Sequence, residues 1–134
     1  MNVKRFLLHL MTLFFLTACG VTQVHTMGDV PRDKVAYIEG VPGYNPLSII
    51  TVEIYSIDGV KVTRKSNVFE VAAGEHEIEV MCRREQPEFI QRHYIFKMTL
   101  KAGHRYRPQL DMTQDCLVNY IDKATGKKYS GTES

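Results

Sequence analysis

The feature that most constrains this chain is a two-residue alternation of apolar and polar side chains in two long runs. In the first run, Ile78, Val80 and Cys82 occupy every second position, and glutamates lie on the opposite face. In the second run, the even-numbered positions of residues 90–100 share one largely apolar face. Two is the side-chain period of a β-strand, so both runs predict antiparallel strands with one buried and one exposed face.

The rest of residues 34–134 contains shorter β-type runs that are separated by turn-forming residues. Further strands are predicted at residues 35–38, 48–55, 60–62, 68–71, 104–110 and 116–121. The Asp58-Gly59 pair lies between two of them and is typical of a tight hairpin turn. Because no segment shows a sustained 3.6-residue period, we expect an all-β fold, a small antiparallel β-sandwich of about seven to eight strands.

The first 19 residues have the organisation of an export signal. Basic residues at positions 4 and 5 precede an apolar run over residues 6–16, which is too short to cross about 30 Å of hydrocarbon as a helix. The run ends in Leu16-Thr17-Ala18-Cys19, which resembles a bacterial lipobox. That resemblance implies cleavage before Cys19, a diacylglycerol on its thiol, and an acyl chain such as palmitate on the new amino terminus. An ordinary secretory signal, with Cys19 incidental, is the alternative.

These features divide the chain into three predicted parts. Residues 1–18 are a cleaved, helical signal peptide, residues 19–33 are the lipidated cysteine and a flexible tether, and residues 34–134 are the β-sandwich domain. Several acyl chains make a durable membrane anchor. In Gram-negative lipoproteins, Asp directly after the lipidated cysteine favours retention in the inner membrane. Here that position is Gly20, which resembles the outer-membrane class. In a Gram-negative host, we therefore expect the protein at the periplasmic face of the outer membrane.

The charge of the chain does not indicate a nucleic-acid partner. Lys4 and Arg5 are two of the 17 Lys and Arg residues, and the predicted signal peptide contains no Asp or Glu. Residues 19–134 therefore hold 15 basic and 15 acidic residues, which gives zero net charge when histidine is neutral. Nucleic-acid-binding domains are typically basic, so we do not expect this class of partner.

Two cysteines, Cys82 and Cys116, remain once Cys19 is assigned to the lipid. An even pair of cysteines in an oxidising compartment predicts a disulfide, which here closes a loop of about 35 residues. Two free buried thiols and a metal site are the alternatives. Two thiolates without a Cys-x-x-Cys spacing only weakly indicate a metal.

Several motifs resemble those of PEGA-type and related carbohydrate-binding-like sandwich modules. These motifs are an Asp-Gly hairpin in Ile57–Gly59 and a Gly-x-His-x-Ile-x-Val strand within Phe69–Val80. Ala73 stands where those modules have proline. Ala102–Tyr106 is also similar to an Ala-Gly-x-x-Tyr segment of small uncharacterised bacterial lipoproteins, and the resemblance covers roughly residues 50–110. It implies a sandwich fold and a binding or structural module, and it brings no catalytic residues.

Few residues offer a catalytic or metal-binding site. His76, His93 and His104 lie on different predicted strands, and their convergence on a metal is the alternative that this leaves open. A strand-edge hydrogen bond is enough to account for His76, and we expect no metal site and no cofactor. No serine has the Gly-x-Ser-x-Gly spacing, and paired cysteines are not nucleophiles. We therefore do not expect an enzyme.

Arginines and one tyrosine are the candidate contact residues. Arg83 and Arg84 end one predicted strand, while Arg105 and Arg107 share one face of a strand that we expect to be its neighbour. An anionic glycan, a lipid headgroup or an acidic protein patch would fit these cations, and solubilising charge is the alternative. Tyr44, between two prolines, is a candidate contact residue on a loop.

Taken together, the sequence predicts a non-catalytic, lipid-anchored protein of the cell envelope. Its expected role is that of an accessory or interaction module for another envelope component. The expected partners are the membrane, through the lipid on Cys19, and an envelope protein. A small inhibitor or ligand-binding lipoprotein that acts on a lysozyme or a glycan is the alternative, and an envelope hydrolase is a third class.

Overall fold

The computed structural model describes residues 24–26, 28–40, 50–62, 68–86, 88–111 and 115–134. The predicted signal peptide, the predicted lipidation site Cys19 and the candidate contact Tyr44 lie outside the described residues. Within these ranges, no helix is long and apolar enough to cross a membrane.

Eleven β-strands make up most of the described residues. They are β1 (Val24–Thr26), β2 (Val35–Glu39), β3 (Ile50–Ile57), β4 (Val60–Lys61), β5 (Val68–Ala72), β6 (Gly74–Arg84), β7 (Ile90–Leu100), β8 (Arg105–Asp111), β9 (Leu117–Asp122), β10 (Lys128–Ser130) and β11 (Thr132–Glu133). A short 3-10 turn, Arg32–Lys34, precedes β2. The predicted all-β sandwich is confirmed. Three strands of two or three residues, β1, β10 and β11, are additional to the predicted seven to eight, and β1 lies within the predicted tether.

The strands form two sheets. The first sheet has the order β1-β5-β2-β8-β9-β10, and the second has the order β11-β7-β6-β3-β4. Most neighbours are antiparallel, as predicted, but β1 pairs with β5 and β2 pairs with β8 in parallel. The second of these parallel pairs arises because the chain crosses from β7 in one sheet to β8 in the other at the end where β2 also begins.

Alternating side chains from both sheets build one core. Ile78 and Val80 of β6 are fully buried, which confirms the face predicted for the first alternating run. Across the sheets, the ring of Phe96 in β7 meets the ring of Tyr120 in β9 edge-on, with centroids 5.0 Å apart. Each fully buried side chain of this size stabilises the fold by about 1.5–3 kcal/mol relative to its exposed state.

Cys82 and Cys116 join the two sheets. Cys82 lies in β6 and Cys116 immediately precedes β9, with the two sulfur atoms at disulfide distance and the Cα atoms 5.7 Å apart. The hydroxyl of Tyr94 in β7 donates a hydrogen bond of 2.8 Å to the carbonyl of Cys116. The start of β9 is therefore held against the second sheet by two contacts.

The last residues of the chain cross from one sheet to the other. β10 pairs with β9 in the first sheet, and β11 pairs with β7 in the second. Gly131 makes the crossing directly over the buried ring of Phe96, where an added Cβ would lie 2.8 Å from the ring atom Cζ. Because glycine has no Cβ, the backbone can pass this close and cover one side of the sandwich.

The sandwich has two distinct ends. The turn end carries the turns at residues 58–59, 101–104 and 123–127. At the opposite end, which we call the lower end, Val24 lies beside Val68 because β1 runs parallel to β5. The Ser134 N–H donates to the carbonyl of His93, the fourth residue of β7, so Ser134 lies toward the lower end.

The hairpin turn at the turn end is the one that the sequence predicts. Asp58 and Gly59 both have positive φ angles, of 50° and 78°. Two consecutive positive φ angles are the geometry of a type I′ turn, which suits the twist of a two-residue hairpin. The Asp-Gly pair therefore joins β3 to β4 as expected.

Candidate functional site

Arg105 and Arg107 lie on the outer face of the first sheet because of the alternation along β8. Tyr106, between them, is fully buried and faces the core. β8 pairs with β2 on one side and β9 on the other, so its backbone is held from both sides. The two arginines therefore project from one fixed strand, with Cα atoms about 7 Å apart.

A single carboxylate, that of Glu39 at the end of β2, pairs with both arginines. One oxygen of Glu39 lies 2.9 Å from Nη1 of Arg105, and the other lies 2.6 Å from Nε of Arg107. The guanidinium of Arg105 also lies 4.6 Å from the centre of the Tyr37 ring, which is cation–π distance. We call Arg105 and Arg107 the arginine pair. Their contacts with Glu39, and that of Arg105 with Tyr37, fix the position of the pair.

The backbone that carries Glu39 is held from inside the core. The hydroxyl of Tyr120 donates a hydrogen bond of 2.9 Å to the Glu39 carbonyl. Burial, assisted by the negative charge of Glu39, raises the pKa of Tyr120 above its ordinary value, so the hydroxyl stays protonated and remains a donor. A core residue therefore fixes the strand end from which the carboxylate projects.

The arginine pair is preorganised to bind an anion. Two guanidinium groups and one carboxylate leave a net charge of about +1. The side chains of Arg105 and Arg107 are 48% and 52% exposed, whereas that of Glu39 is 15% exposed. Each guanidinium has five N–H donors, and because the side chains are about half exposed, some donors beyond the contact with Glu39 are accessible to solvent. They are available for charge-assisted hydrogen bonds to an anionic group.

Arg83 and Arg84 do not join the arginine pair. They end β6 in the second sheet at the lower end, so the expectation that their strand neighbours β8 was wrong. Arg84 forms an ion pair with Asp115, and Nε of Arg83 lies 3.6 Å from a carboxylate oxygen of Glu85. The two predicted pairs of arginines therefore lie on different sheets.

A histidine–aspartate pair ties two turns together at the turn end. Nδ1 of His104, just before β8, lies 2.8 Å from a carboxylate oxygen of Asp122, whose side chain is only 3% exposed. Burial tends to raise the pKa of Asp122, but hydrogen bonds from His104, the Ala124 N–H and Thr125 together lower it below its ordinary value. Asp122 is therefore ionised and occupied by internal donors.

Lysines surround these two turns, and none of them is among the contact residues predicted from the sequence. They are Lys34 before β2, Lys101 after β7, Lys123 and Lys127 in the turn between β9 and β10, and Lys128 at the start of β10, and all are exposed. A local signal was present, because Lys123, Lys127 and Lys128 are clustered around a Thr-Gly turn. The zero net charge concealed the cluster, because a net charge does not record where in the chain the charged residues lie.

His76 holds the hairpin turn against β6. Its Nδ1 lies 2.6 Å from a carboxylate oxygen of Asp58, and its Nε2 lies 2.6 Å from the carbonyl of Ala72. Both ring nitrogens of His76 are therefore in hydrogen-bond contact, one with the hairpin turn and one with the end of β5. Partial burial tends to raise the pKa of Asp58, but hydrogen bonds from the Glu77 N–H and His76 outweigh it and lower the pKa. The hydrogen-bonding role expected for His76 is confirmed.

His93 lies on the outer face of the second sheet. Its Nδ1 is 3.6 Å from one carboxylate oxygen of Glu79, and the hydroxyl of Ser56 donates to the other at 3.0 Å. Activation of a serine nucleophile by histidine requires the hydroxyl to donate to a histidine nitrogen. The hydroxyl of Ser56 donates to a carboxylate instead. In the part of the chain that the structure describes, no group of three His, Cys, Asp or Glu residues is arranged to hold a metal.

The outer face of the second sheet is acidic. Glu53, Glu77 and Glu79 project from it along β3 and β6. At the turn end, β6 and β7 line a shallow, open depression of about 400 Å³, formed by Glu75, His76, Glu77, Lys97, Met98 and Thr99. Arg105 and Arg107 therefore lie on the outer face of the first sheet, whereas Glu53, Glu77 and Glu79 lie on the outer face of the second.

Comparison with known proteins adds no identification. No family model matches the chain, and no curated protein and no solved structure shows significant similarity to it. The resemblance to carbohydrate-binding-like modules and to lipoproteins therefore remains a prediction from the sequence motifs.

Proposed function

We propose that this protein is a non-catalytic, lipid-anchored accessory module of the cell envelope. It contacts another envelope component through the outer face of its first sheet. The export signal and the position of Cys19 support the location, and Gly20 favours the outer membrane of a Gram-negative host. The pairing of Cys82 with Cys116 supports the same location, because disulfides persist in oxidising compartments.

The arginine pair is the observation that carries the proposed role. A partly buried carboxylate holds two guanidinium groups in fixed positions on a central strand, and both remain half exposed. Side chains that are already ordered lose little conformational entropy when a partner binds. Arginine is also the cation that is most suited to planar, bidentate contacts with carboxylate and phosphate groups.

In-cell crosslinking of the tagged protein, followed by mass spectrometry, tests this role. We expect one envelope component to be enriched with the native protein and lost with Arg105→Gln, which keeps the Arg107 contact to Glu39. Lys97→Gln on the second sheet is the matched control, since it also removes one exposed cation. Equal crosslinking in both variants would contradict the proposed surface. Enrichment of a lysozyme or another soluble enzyme that the protein inhibits would support the inhibitor alternative instead.

Membrane fractionation tests the anchor separately. Cys19→Ala removes the thiol to which the diacylglycerol would be attached, so we expect the protein to leave the membrane fraction. Its folding, followed by circular dichroism, is expected to stay unchanged. Continued membrane association of the variant would show that Cys19 is not the anchor.

A further inference from the structure

We propose that the lysine-rich turn end and the outer face of β8 form one continuous basic surface that binds an extended polyanion. The ligand class is a linear polymer with regularly spaced phosphate or carboxylate groups. This inference rests on the proposed function, because it names the chemistry of the envelope component that the module contacts. We call Lys101, Arg105, Arg107, Lys123, Lys127 and Lys128 the basic strip.

The strand order makes the basic strip continuous. β8, β9 and β10 are successive neighbours, and Arg107 and Lys128 both pair in register with Ile121 on the strand between them. Arg107 and Lys128 therefore lie two strands apart, or about 10 Å. Lys123 and Lys127 continue the strip around the turn that joins β9 to β10.

Aromatic contacts connect Lys101 to the same surface. The backbone N–H of Lys101 donates to the hydroxyl of Tyr106, whose ring lies 6.1 Å from that of Tyr129. The ammonium group of Lys127 lies 4.8 Å from the centre of the Tyr129 ring. The turn that carries Lys101 and the turn that carries Lys127 therefore both lie against this pair of tyrosines.

Two carboxylates that lie against the strip, those of Glu39 and Asp122, already have partners. Glu39 pairs with both arginines, and Asp122 accepts from His104 and from the Ala124 N–H. Within the described residues, the four lysines of the strip form no ion pair with a carboxylate. All four side chains are exposed, so a ligand with several anionic groups can reach them, release bound counterions and gain affinity.

The basic strip is rigid as well as positively charged. The Lys123 N–H donates to the Arg105 carbonyl at 2.9 Å, and the Gly103 N–H donates to the Val35 carbonyl at 2.7 Å. The hydrogen bond between His104 and Asp122 joins the same two turns through side chains. The backbone that carries the lysines is thus fixed before binding, which limits the ordering that binding requires to the lysine side chains.

The position of the strip favours a polymer over the membrane that would hold the anchor. Val24 enters the sandwich at the lower end, five residues after Cys19, whereas the lysines lie at the turn end. Eleven residues of β6 separate the two ends, which corresponds to about 36 Å. The anchor would therefore hold the lower end near the lipid and direct the turn end away from it. The strip also bends from a sheet face around an end, a shape that a flexible chain follows better than a flat surface does.

Binding of the mature lipidated protein, in neutral detergent micelles, to two defined probes tests the inference. The probes are linear polyphosphate and polygalacturonate, measured across a series of salt concentrations. We expect binding at low salt that weakens with added salt. In Lys123→Gln/Lys127→Gln, we expect the affinity to fall by at least about tenfold and the log–log salt slope to fall by about two. Lys61→Gln/Lys97→Gln on the second sheet is the matched control, with less than a twofold expected change in affinity.

The outcomes are distinct. Preference for polyphosphate would identify phosphate groups as the ligand chemistry, and preference for polygalacturonate would identify carboxylates. Equal binding of the two polymers would show that the spacing of negative charges, and not the kind of anionic group, determines recognition. Binding of neither polymer at low salt, or equal losses in the two double variants, would overturn the inference. Lysine-dependent binding of the Cys19→Ala protein to anionic vesicles, without polymer binding, would also overturn it in favour of a membrane. None of these results depends on the crosslinking or fractionation experiments, so a failure here leaves the proposed function open to its own tests.

Discussion

The pairing of Cys82 with Cys116 leads to a prediction that concerns both stability and cellular location. The two cysteines are 34 positions apart, and the intervening loop contains the whole of β7 and β8. In the chain-entropy model, closing a loop of this length stabilises the folded state by about 4 kcal/mol. For a urea dependence of about 1–2 kcal/mol per molar, the unfolding midpoint of the reduced protein is expected to fall by about 2–4 M.

Urea unfolding of the oxidised protein, with and without reductant, measures this difference directly. Reduction removes the bond without deleting side-chain atoms. Cys82→Ala/Cys116→Ala is the second variant, and it is expected to fall to about the midpoint of the reduced protein or somewhat below, because both sulfurs are buried. Equal midpoints with and without reductant, or quantitative alkylation of both thiols in the unreduced unfolded protein, would refute the reasoning. Protein made without the export signal in a reducing cytoplasm is expected to have the lower midpoint.

Two further predictions concern single residues. Gly131→Ala would place a Cβ 2.8 Å from the buried ring of Phe96, so we expect a loss of about 1–3 kcal/mol in the free energy of unfolding by urea titration; a change below about 0.3 kcal/mol would show that the ring moves aside. The folded state lowers the pKa of Asp122, so its ionised form stabilises the fold above about pH 4, and this stabilisation is lost as the pH falls through the lowered value. Asp122→Asn is therefore expected to flatten the decline of the urea midpoint below about pH 4, and an unchanged decline would contradict this assignment.

The sequence predicted most of the fold because the longest strands carry a clear periodic pattern. The alternation in residues 78–82 and 90–100 identifies the correct buried faces, since burial of one face of a sheet requires a period of two. Asp58-Gly59 identifies the hairpin because that turn needs two positive φ angles. The short strands β1, β10 and β11 have too few residues for any period to be recognised.

The candidate site was less predictable than the fold. Arg105 and Arg107 could be placed on one strand face, but Glu39, which pairs with them, lies 66 positions from Arg105 and belongs to a strand brought alongside by a crossover. Arg83 and Arg84 were expected beside them, but β6 and β8 belong to different sheets. Strand order is set by long-range packing, which local patterns do not record.

The parallel pairing of β1 with β5 also determines how the protein would bear a mechanical load. β1 extends from the lower end toward the turn end, so a pull applied at Cys19 and resisted at the turn end acts along the axis of the strand. The hydrogen bonds to β5 connect the strands across that axis, and they therefore share the force and fail together. A strand that is peeled sideways from a sheet loses its bonds one at a time. A protein tethered through its amino terminus would thus be loaded in shear, the more resistant of the two geometries.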